Sequence, residues 1–359
     1  MRKLRYAAIA ATSLILTGLA VAPASAAPTG VGGACSSRVS LRGFDDELDK
    51  TTFDGQPVSE LSGLDWTNDT LASVGLGGQL LAVDDSSYLW TLSLHTNGSG
   101  SISAKPVSVA PILDENGNIL DPEAIAVDRD GTRLITSENE PSVRRYDRNG
   151  NVLASLPVPA RFRTTPAGQA PVNGSFEGLT LLPGDHSLIA TMEQPLSGDA
   201  DADGNGLHRF LRWDRGADGE FHVAKQYAFT VDKGLAISDV KAISPTKLLV
   251  IERGWTSTAG NTVRLYEADL AGAQDVSDVD SLATTPVRQV RGTLLADLVN
   301  CPTDGATNPG TQTNPLLDNI EGAAFGRYLP NGRRELILVS DDNGNSTEVT
   351  RLYDFSVRV

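Results

Sequence analysis

The chain is poor in the residues that most enzymes use for nucleophilic or zinc chemistry. It has two cysteines and four histidines in 359 residues. Cys35 and Cys301 stand alone without CxxC spacing, so neither a zinc site nor a dithiol redox site is open to them. His95, His186, His208 and His222 show no metal-binding spacing. GxSxG, HExxH, a GxGxxG after a strand and a P-loop are all missing. Those absences remove the usual marks of a serine hydrolase, a zincin, a dinucleotide enzyme and a nucleoside triphosphatase. Positive charge is short as well: 30 Lys+Arg against 45 Asp+Glu leaves a formal charge of −15. A chain this acidic is a poor partner for nucleic acid or anionic lipid and a better one for divalent cations. Helical periodicity is almost absent.

Long apolar runs are confined to the start of the chain. In residues 1–26, Arg2, Lys3 and Arg5 form a basic head, positions 6–21 an apolar core, and Ala24-Ser25-Ala26 a small-residue cleavage site. That is the pattern of a secretory signal. No stop-transfer pattern follows, and no later stretch is long and apolar enough to span a bilayer. The expected mature chain begins at Ala27, and losing three cations takes its formal charge from −15 to −18. In an exported chain, two cysteines most simply form one disulfide. Here it is expected to tie the N-terminal segment to the stretch before the last repeat.

What the chain does have is a repeat. Residues 173–196, NGSFEGLTLLPGDHSLIATMEQPL, read as an acidic turn, a strand, a Gly-Asp turn and a second strand that ends in a carboxylate. The same unit recurs around Leu61-Ser62-Gly63, Pro122-Glu123-Ala124, Ser238-Asp239-Val240 and Ile320-Glu321-Gly322. Most copies continue into a third alternating strand. Taking Ser62, Glu123, Glu177, Ser238 and Glu321 as equivalent, the spacings are 61, 54, 61 and 83 residues. Repeats of this length, each with three or four short strands, predict an all-β β-propeller. The long last gap leaves room for another blade between Tyr266 and Leu298, so six blades are expected, within a range of five to seven. The expected organisation is a signal over 1–26, a leader with a first strand over 27–60, and one propeller domain over 61–359. Loops at 159–172, 197–206 and 303–315 stand out as insertions.

The repeat carries carboxylates at two fixed places. One set precedes the first strand: Glu123, Glu177, Asp239 and Glu321. The other follows the second strand: Asp84/Asp85, Glu138, Glu193, Glu252 and Asp341/Asp342. Equivalent positions in successive blades surround one axis, so these acids are expected to converge at one end of the channel. Several like charges held together require a cation or a donor, which favours Ca²⁺ and its six to eight oxygen ligands. A second acidic pattern, Asp199-x-Asp201-x-Asp203-Gly204, has the first half of a Ca²⁺ loop, although position 210 is Phe210 where an EF-hand needs Glu. Arg253, directly after Glu252, reads either as an ion-pair partner or as a bidentate anchor for an anionic ligand. Arg144, Arg145, Arg161 and Arg163 are weaker candidates for that role.

The motifs NGSFEGL, MEQPL, ISDV with LLVIERG, and NIEGAAFG with LILVSDDN resemble the secreted bacterial family called esterase-like activity of phytase, a phytase-like β-propeller domain. LSGLDW and SENEPSVRRYD fit the same pattern, so the resemblance runs over about 60–359. It implies a propeller, export, and a link to phytase and ester hydrolysis. It maps onto Glu123, Glu138, Glu177, Glu193, Glu252, Arg253, Glu321, Asp341 and Asp342. The more distant β-propeller phytases use several Ca²⁺ ions in an acidic channel mouth, but their cluster of lysines has no counterpart here.

The expectation is therefore a secreted Ca²⁺-dependent hydrolase of phosphate or carboxylic esters. Glu177, Glu321 and Arg253 are the expected catalytic groups. Glu123, Glu138, Glu193, Glu252, Asp341, Asp342, Asp199, Asp201 and Asp203 are the expected metal ligands. The expected partner is a small-molecule ester, phosphorylated or not, with no nucleic acid, no membrane and a monomeric chain. The alternatives are a non-catalytic Ca²⁺-stabilised binding propeller and a lactonase-like hydrolase drawing on Asn173, Asn319 and Asn343.

Overall fold

The fold is closed by its own two ends. The computed structural model describes residues 32–67, 78–96, 102–201 and 204–359, so the expected signal segment lies outside the described residues. The first strand, β1 (Val39–Asp45), alternates buried and half-buried side chains and pairs antiparallel with the last strand of the chain. A small hairpin of β2 (Thr52–Phe53) and β3 (Gln56–Pro57) follows.

The remaining strands form sheets in chain order, from the inside outward. Blade one holds β4 (Leu61–Trp66), β5 (Gly78–Asp84), β6 (Tyr88–Thr96) and β7 (Ile102–Pro111). Blade two holds β8 (Ile125–Val127), β9 (Arg133–Ser137), β10 (Ser142–Tyr146) and β11 (Val152–Ser155). Blade three holds β12 (Phe176–Leu181), β13 (Ser187–Met192), β14 (Leu207–Arg215) and β15 (Phe221–Thr230). Blade four holds β16 (Ala236–Ser244), β17 (Lys247–Thr256), β18 (Gly260–Asp269) and β19 (Arg291–Asp297). Blade five holds β20 (Asn319–Tyr328), β21 (Arg334–Asp341) and β22 (Leu352–Val357), with β1 as its outer strand. The inner strands β4, β8, β12, β16 and β20 contact one another in a closed ring. The fold is an all-β, five-bladed propeller, counted over the described residues.

The long last gap does not hold another blade. Residues 270–290 form a loop between β18 and β19, packed against blade three through Val276 and Leu282 on Ala228. Its backbone joins that blade's outer strand by Val276 N–H to Gln226 O (2.9 Å) and Val290 N–H to Ala228 O (2.9 Å).

Packing explains why the middle strands read as continuous apolar runs rather than as alternation. Each is covered on both faces by neighbouring blades, and every residue of β9, β13 and β22 is buried. Five large apolar clusters fill the five blade interfaces. Cys35 and Cys301 are joined in a disulfide that links the segment before β1 to the chain leaving β19. No helix among the described residues is long and apolar enough to cross a membrane.

Candidate functional site

One backbone device recurs in four of the five inner strands. Strand register slips in β4 between Leu61 and Leu64, in β12 between Phe176 and Gly178, in β16 between Ile237 and Asp239, and in β20 between Ile320 and Gly322. The residues skipped include Ser62, Glu177, Ser238 and Glu321, the equivalent points of the repeat. An extra residue in one strand is left out of the ladder, and its side chain is re-aimed. In β4, β12 and β20 a glycine follows, where the next blade presses close. A Cβ on Gly322 would lie 1.9 Å from Ser62 O, and one on Gly178 would lie 2.7 Å from Val240 N. The Glu-Gly pair of the repeat is thus one carboxylate turned to the axis and one residue thin enough for blade contact.

The result is a cup of about 510 Å³ at one end of the inner-strand ring. Among the described residues its lining holds nine carboxylates, five amides, Arg253 and Trp255. Two sets of three acids approach closely enough to share a cation: Asp85, Asp121 and Glu123, and Glu123, Glu138 and Glu177, with ligand oxygens in each set within 4.8 Å of one another. Glu123 belongs to both. Glu138 is fixed by its neighbour blade, accepting from Ser175 N–H (3.0 Å). Glu177 is buried, and its Oε2 has no hydrogen-bond partner. A buried carboxylate oxygen without a donor, turned into a cluster of acids, fits a hard cation better than any protein group the site supplies. These clustered acids can bind a metal ion.

On the opposite wall, Glu321 accepts from Asn319 Nδ2 (3.0 Å) and Ser62 Oγ (3.2 Å) and is ion-paired with Arg253. Arg253 also lies 3.8 Å from Glu193. Asp341 accepts from Asn343 N–H (2.6 Å) and Asn319 Nδ2 (3.3 Å). The electrostatics follow from crowding. Burial, then Glu177 and Asp85, hold the Glu123 carboxyl well above the usual range. Burial and Glu193 do the same to Glu177. Burial, then Glu321, push Asp85 up to about 9, while burial, then Glu193, push Glu138 up to about 7. Burial alone would lower Arg253, but the carboxylates around it, Glu321 first, outweigh that and raise it.

Several acids of the two expected sets are turned elsewhere. Asp239 accepts from Val240 N–H (2.7 Å) and from Ala323 N–H of blade five (2.8 Å), and lies 3.3 Å from Lys241. Asp84 takes Tyr88 N–H and the Trp90 indole (2.7 Å each). Glu252 accepts from Asp232 N–H (3.0 Å), outside the cup. Asp342 binds Lys50, Ser59 Oγ (2.5 Å) and Glu60 N–H (3.0 Å), which anchors the segment after β1.

In the Asp199 loop, the two described acids each have protein partners. Asp199 is fully buried in a two-oxygen pair with Arg209 (2.6 and 3.0 Å) and also takes Leu282 N–H (2.8 Å). Asp201 accepts from Asn205 N–H (2.9 Å), and Asp203 lies outside the described residues. Arg144 pairs with Glu115 and Glu140, Arg145 with Asp128, and Arg161 bonds Val279 O, so these three are spent away from the cup. Asn173, Asn319 and Asn343 do line it.

Five lining residues, Asp121, Gln194, Trp255, Asn261 and Glu348, were not singled out as candidates from the sequence. Asp121 is two positions before Glu123, across Pro122, and the Asp-Pro-Glu triplet was its signal. Trp255 is two positions after Arg253, on the same face of β17 by strand alternation. A second cavity of about 530 Å³ adjoins the cup and shares Glu193, Gln194 and Arg253 with it. His208 lines that cavity, and burial pushes its imidazole down to about 4.

Comparison with known proteins adds family membership. The chain is similar in structure to a gluconolactonase from Xanthomonas campestris (12% identity, 92% of each chain covered, TM-score 0.37). It is similar to a virginiamycin B lyase from Staphylococcus aureus (10% identity, 92% of this chain and 96% of that one, TM-score 0.37) and to a streptogramin B lyase (13% identity, 84% and 67%, TM-score 0.35). No curated protein matches the sequence. The family described as phytase-like, esterase-like activity of phytase, matches residues 56–344, and the chain belongs to it.

Proposed function

We propose that this propeller is a secreted, Ca²⁺-dependent hydrolase of small phosphate or carboxylic esters, with the acidic cup as its active site. The observation that carries the reading is the pair of acid triads joined by Glu123, with the buried Glu177 Oε2 left without a donor. The family supports hydrolysis in general terms, and the disulfide suits an exported chain.

In this reading Asp85, Asp121, Glu123, Glu138 and Glu177 are the ligands. A Ca²⁺ held there would supply positive charge that offsets the triads and would polarise an ester oxygen. Arg253 orients the anionic end of the substrate with its guanidinium and withdraws the Glu321 charge from the ligand set. Glu321, held by Asn319 and Ser62, is the carboxylate available to take a proton from the attacking water. Glu177, an expected catalytic group, is assigned here to the ligand set because it stands among Glu123 and Glu138.

The test pairs thermal unfolding with and without EDTA or Ca²⁺ with hydrolysis of aryl and alkyl phosphates and short acyl esters. Saturating Ca²⁺ is expected to raise the midpoint by on the order of 5 °C, the scale of a ligand well above its dissociation constant. Turnover should depend on the same ion and be lost in Glu321→Gln. A rise in midpoint without turnover on any ester leaves the binding propeller as the better account. No rise at all overturns the metal site.

A further inference from the structure

Among the described residues, the cup is lined by polar side chains with one exception, Trp255. That side chain is 61% exposed at the rim. The other three tryptophans are engaged: Trp90 and Trp213 are fully buried, and Trp66 donates its indole N–H to Phe325 O at 2.9 Å. A large aromatic left open to water at the edge of a charged cavity gains nothing for folding. Its free energy is recovered only when an apolar face covers it.

The hairpin that carries Trp255 is braced. Strands β17 and β18 stay paired out to Thr256 and Gly260, with Trp255 opposite Asn261. The 303–315 loop holds the tip through Thr313 N–H to Ala259 O (2.8 Å) and Gln312 Oε1 accepting from Asn261 N–H (2.7 Å). Trp255 therefore sits on a fixed arm, two residues beyond Arg253 and on the same strand face. A substrate whose anionic group reaches Arg253 and the acids has its remaining portion at the rim, beside the indole.

We propose that Trp255 is a stacking platform that makes the cup selective for esters carrying an aromatic ring. The inference rests on the hydrolase reading for where the anionic group binds, but not on turnover. A flat ring gains offset or edge-on contact with indole beyond simple area burial, whereas a short alkyl group does not.

The test uses two non-hydrolysable probes, phenylphosphonate and methylphosphonate, titrated by calorimetry in Ca²⁺ buffer against the wild-type protein, Trp255→Ala and Trp255→Phe. Tryptophan fluorescence serves as a second readout, since Trp255 is the exposed indole. The expected result is roughly tenfold tighter binding of the phenyl probe, with fluorescence quenching. Trp255→Ala should abolish the preference and Trp255→Phe should keep most of it. Equal binding of the two probes, or a preference unchanged in Trp255→Ala, overturns the platform, as does failure of both probes to bind. A Trp255-dependent preference in a protein that hydrolyses no ester supports the platform and overturns the hydrolase reading.

Discussion

Asp199 and Glu177 are both buried carboxylates of blade three, yet one is saturated and the other is not. Asp199 gives both oxygens to Arg209 and takes a backbone N–H as well. Arg209 in turn donates to Gln226 Oε1 (2.9 Å), Val276 O (3.0 Å) and Val279 O (2.8 Å), fastening the 270–290 loop to the blade. Arg351 repeats the recipe in blade five with Asp46 and three backbone carbonyls. Glu177 has acids for neighbours and an oxygen with no donor. Buried charge is costly unless paired and hydrogen-bonded. Where the chain supplies the partner, the charge is part of the scaffold. Where it supplies more acids instead, the arrangement makes sense only with something brought from outside.

That contrast predicts opposite responses to neutralisation. The largest effect belongs to Arg209→Met, which strands Asp199 and three acceptors in the interior. It should cost about 3–5 kcal/mol in urea unfolding, the scale for breaking a buried pair from one side. Ca²⁺ should not restore it. A loss under about 1 kcal/mol would mean that the loop relaxes and water reaches Asp199.

Glu177→Gln should do the reverse. In EDTA at pH 8 it removes a carboxyl whose ionisation burial and the neighbouring acids oppose, and should stabilise the fold by about 1–2 kcal/mol, near the worth of one pKa unit. The midpoint rise with Ca²⁺ should shrink by more than half. If Glu177→Gln destabilises the metal-free protein, Glu177 has a donor partner in solution and belongs with Asp199.

The same contrast shows how far the sequence could be read. The propeller was legible because each blade repeats a turn, a strand and a carboxylate, and because the Glu-Gly pair marks the register slip. Seven of the nine acids of the cup were legible as a set. Their individual aim was not, because the difference is one residue each time. Asp85 lines the cup and Asp84 enters the core. Ser238 holds the ring position and Asp239 braces the next blade. Arg253 faces the cup and Glu252 its flank, while Asp341 lines the wall and Asp342 holds Lys50. A shift of one residue in a strand reverses the face, and the register slip that decides it depends on the neighbouring strand. Blade number was obscured for a related reason. The 270–290 loop has enough buried apolar residues to pass for strands, but it spends them on blade three.

A third effect is a slope with pH. Glu138 is pushed up to about 7 from 4.5, and Asp85 to about 9 from 3.8, burial leading in both cases with Glu193 and Glu321 next. A folded pKa above the unfolded one means that the folded chain holds protons the unfolded chain has already released. The stability these groups contribute is then complete below about pH 4 and is lost as pH rises through 7 and 9. In EDTA the unfolding midpoint should fall between pH 5 and pH 9, no more steeply than about 1.4 kcal/mol per pH unit for each proton linked. Added Ca²⁺ should flatten that slope, because a cation among the triads favours the same ionised carboxylates that are penalised without one. A midpoint that rises with pH in EDTA would mean that the triads have found donors of their own, and the difference between Glu177 and Asp199 would disappear.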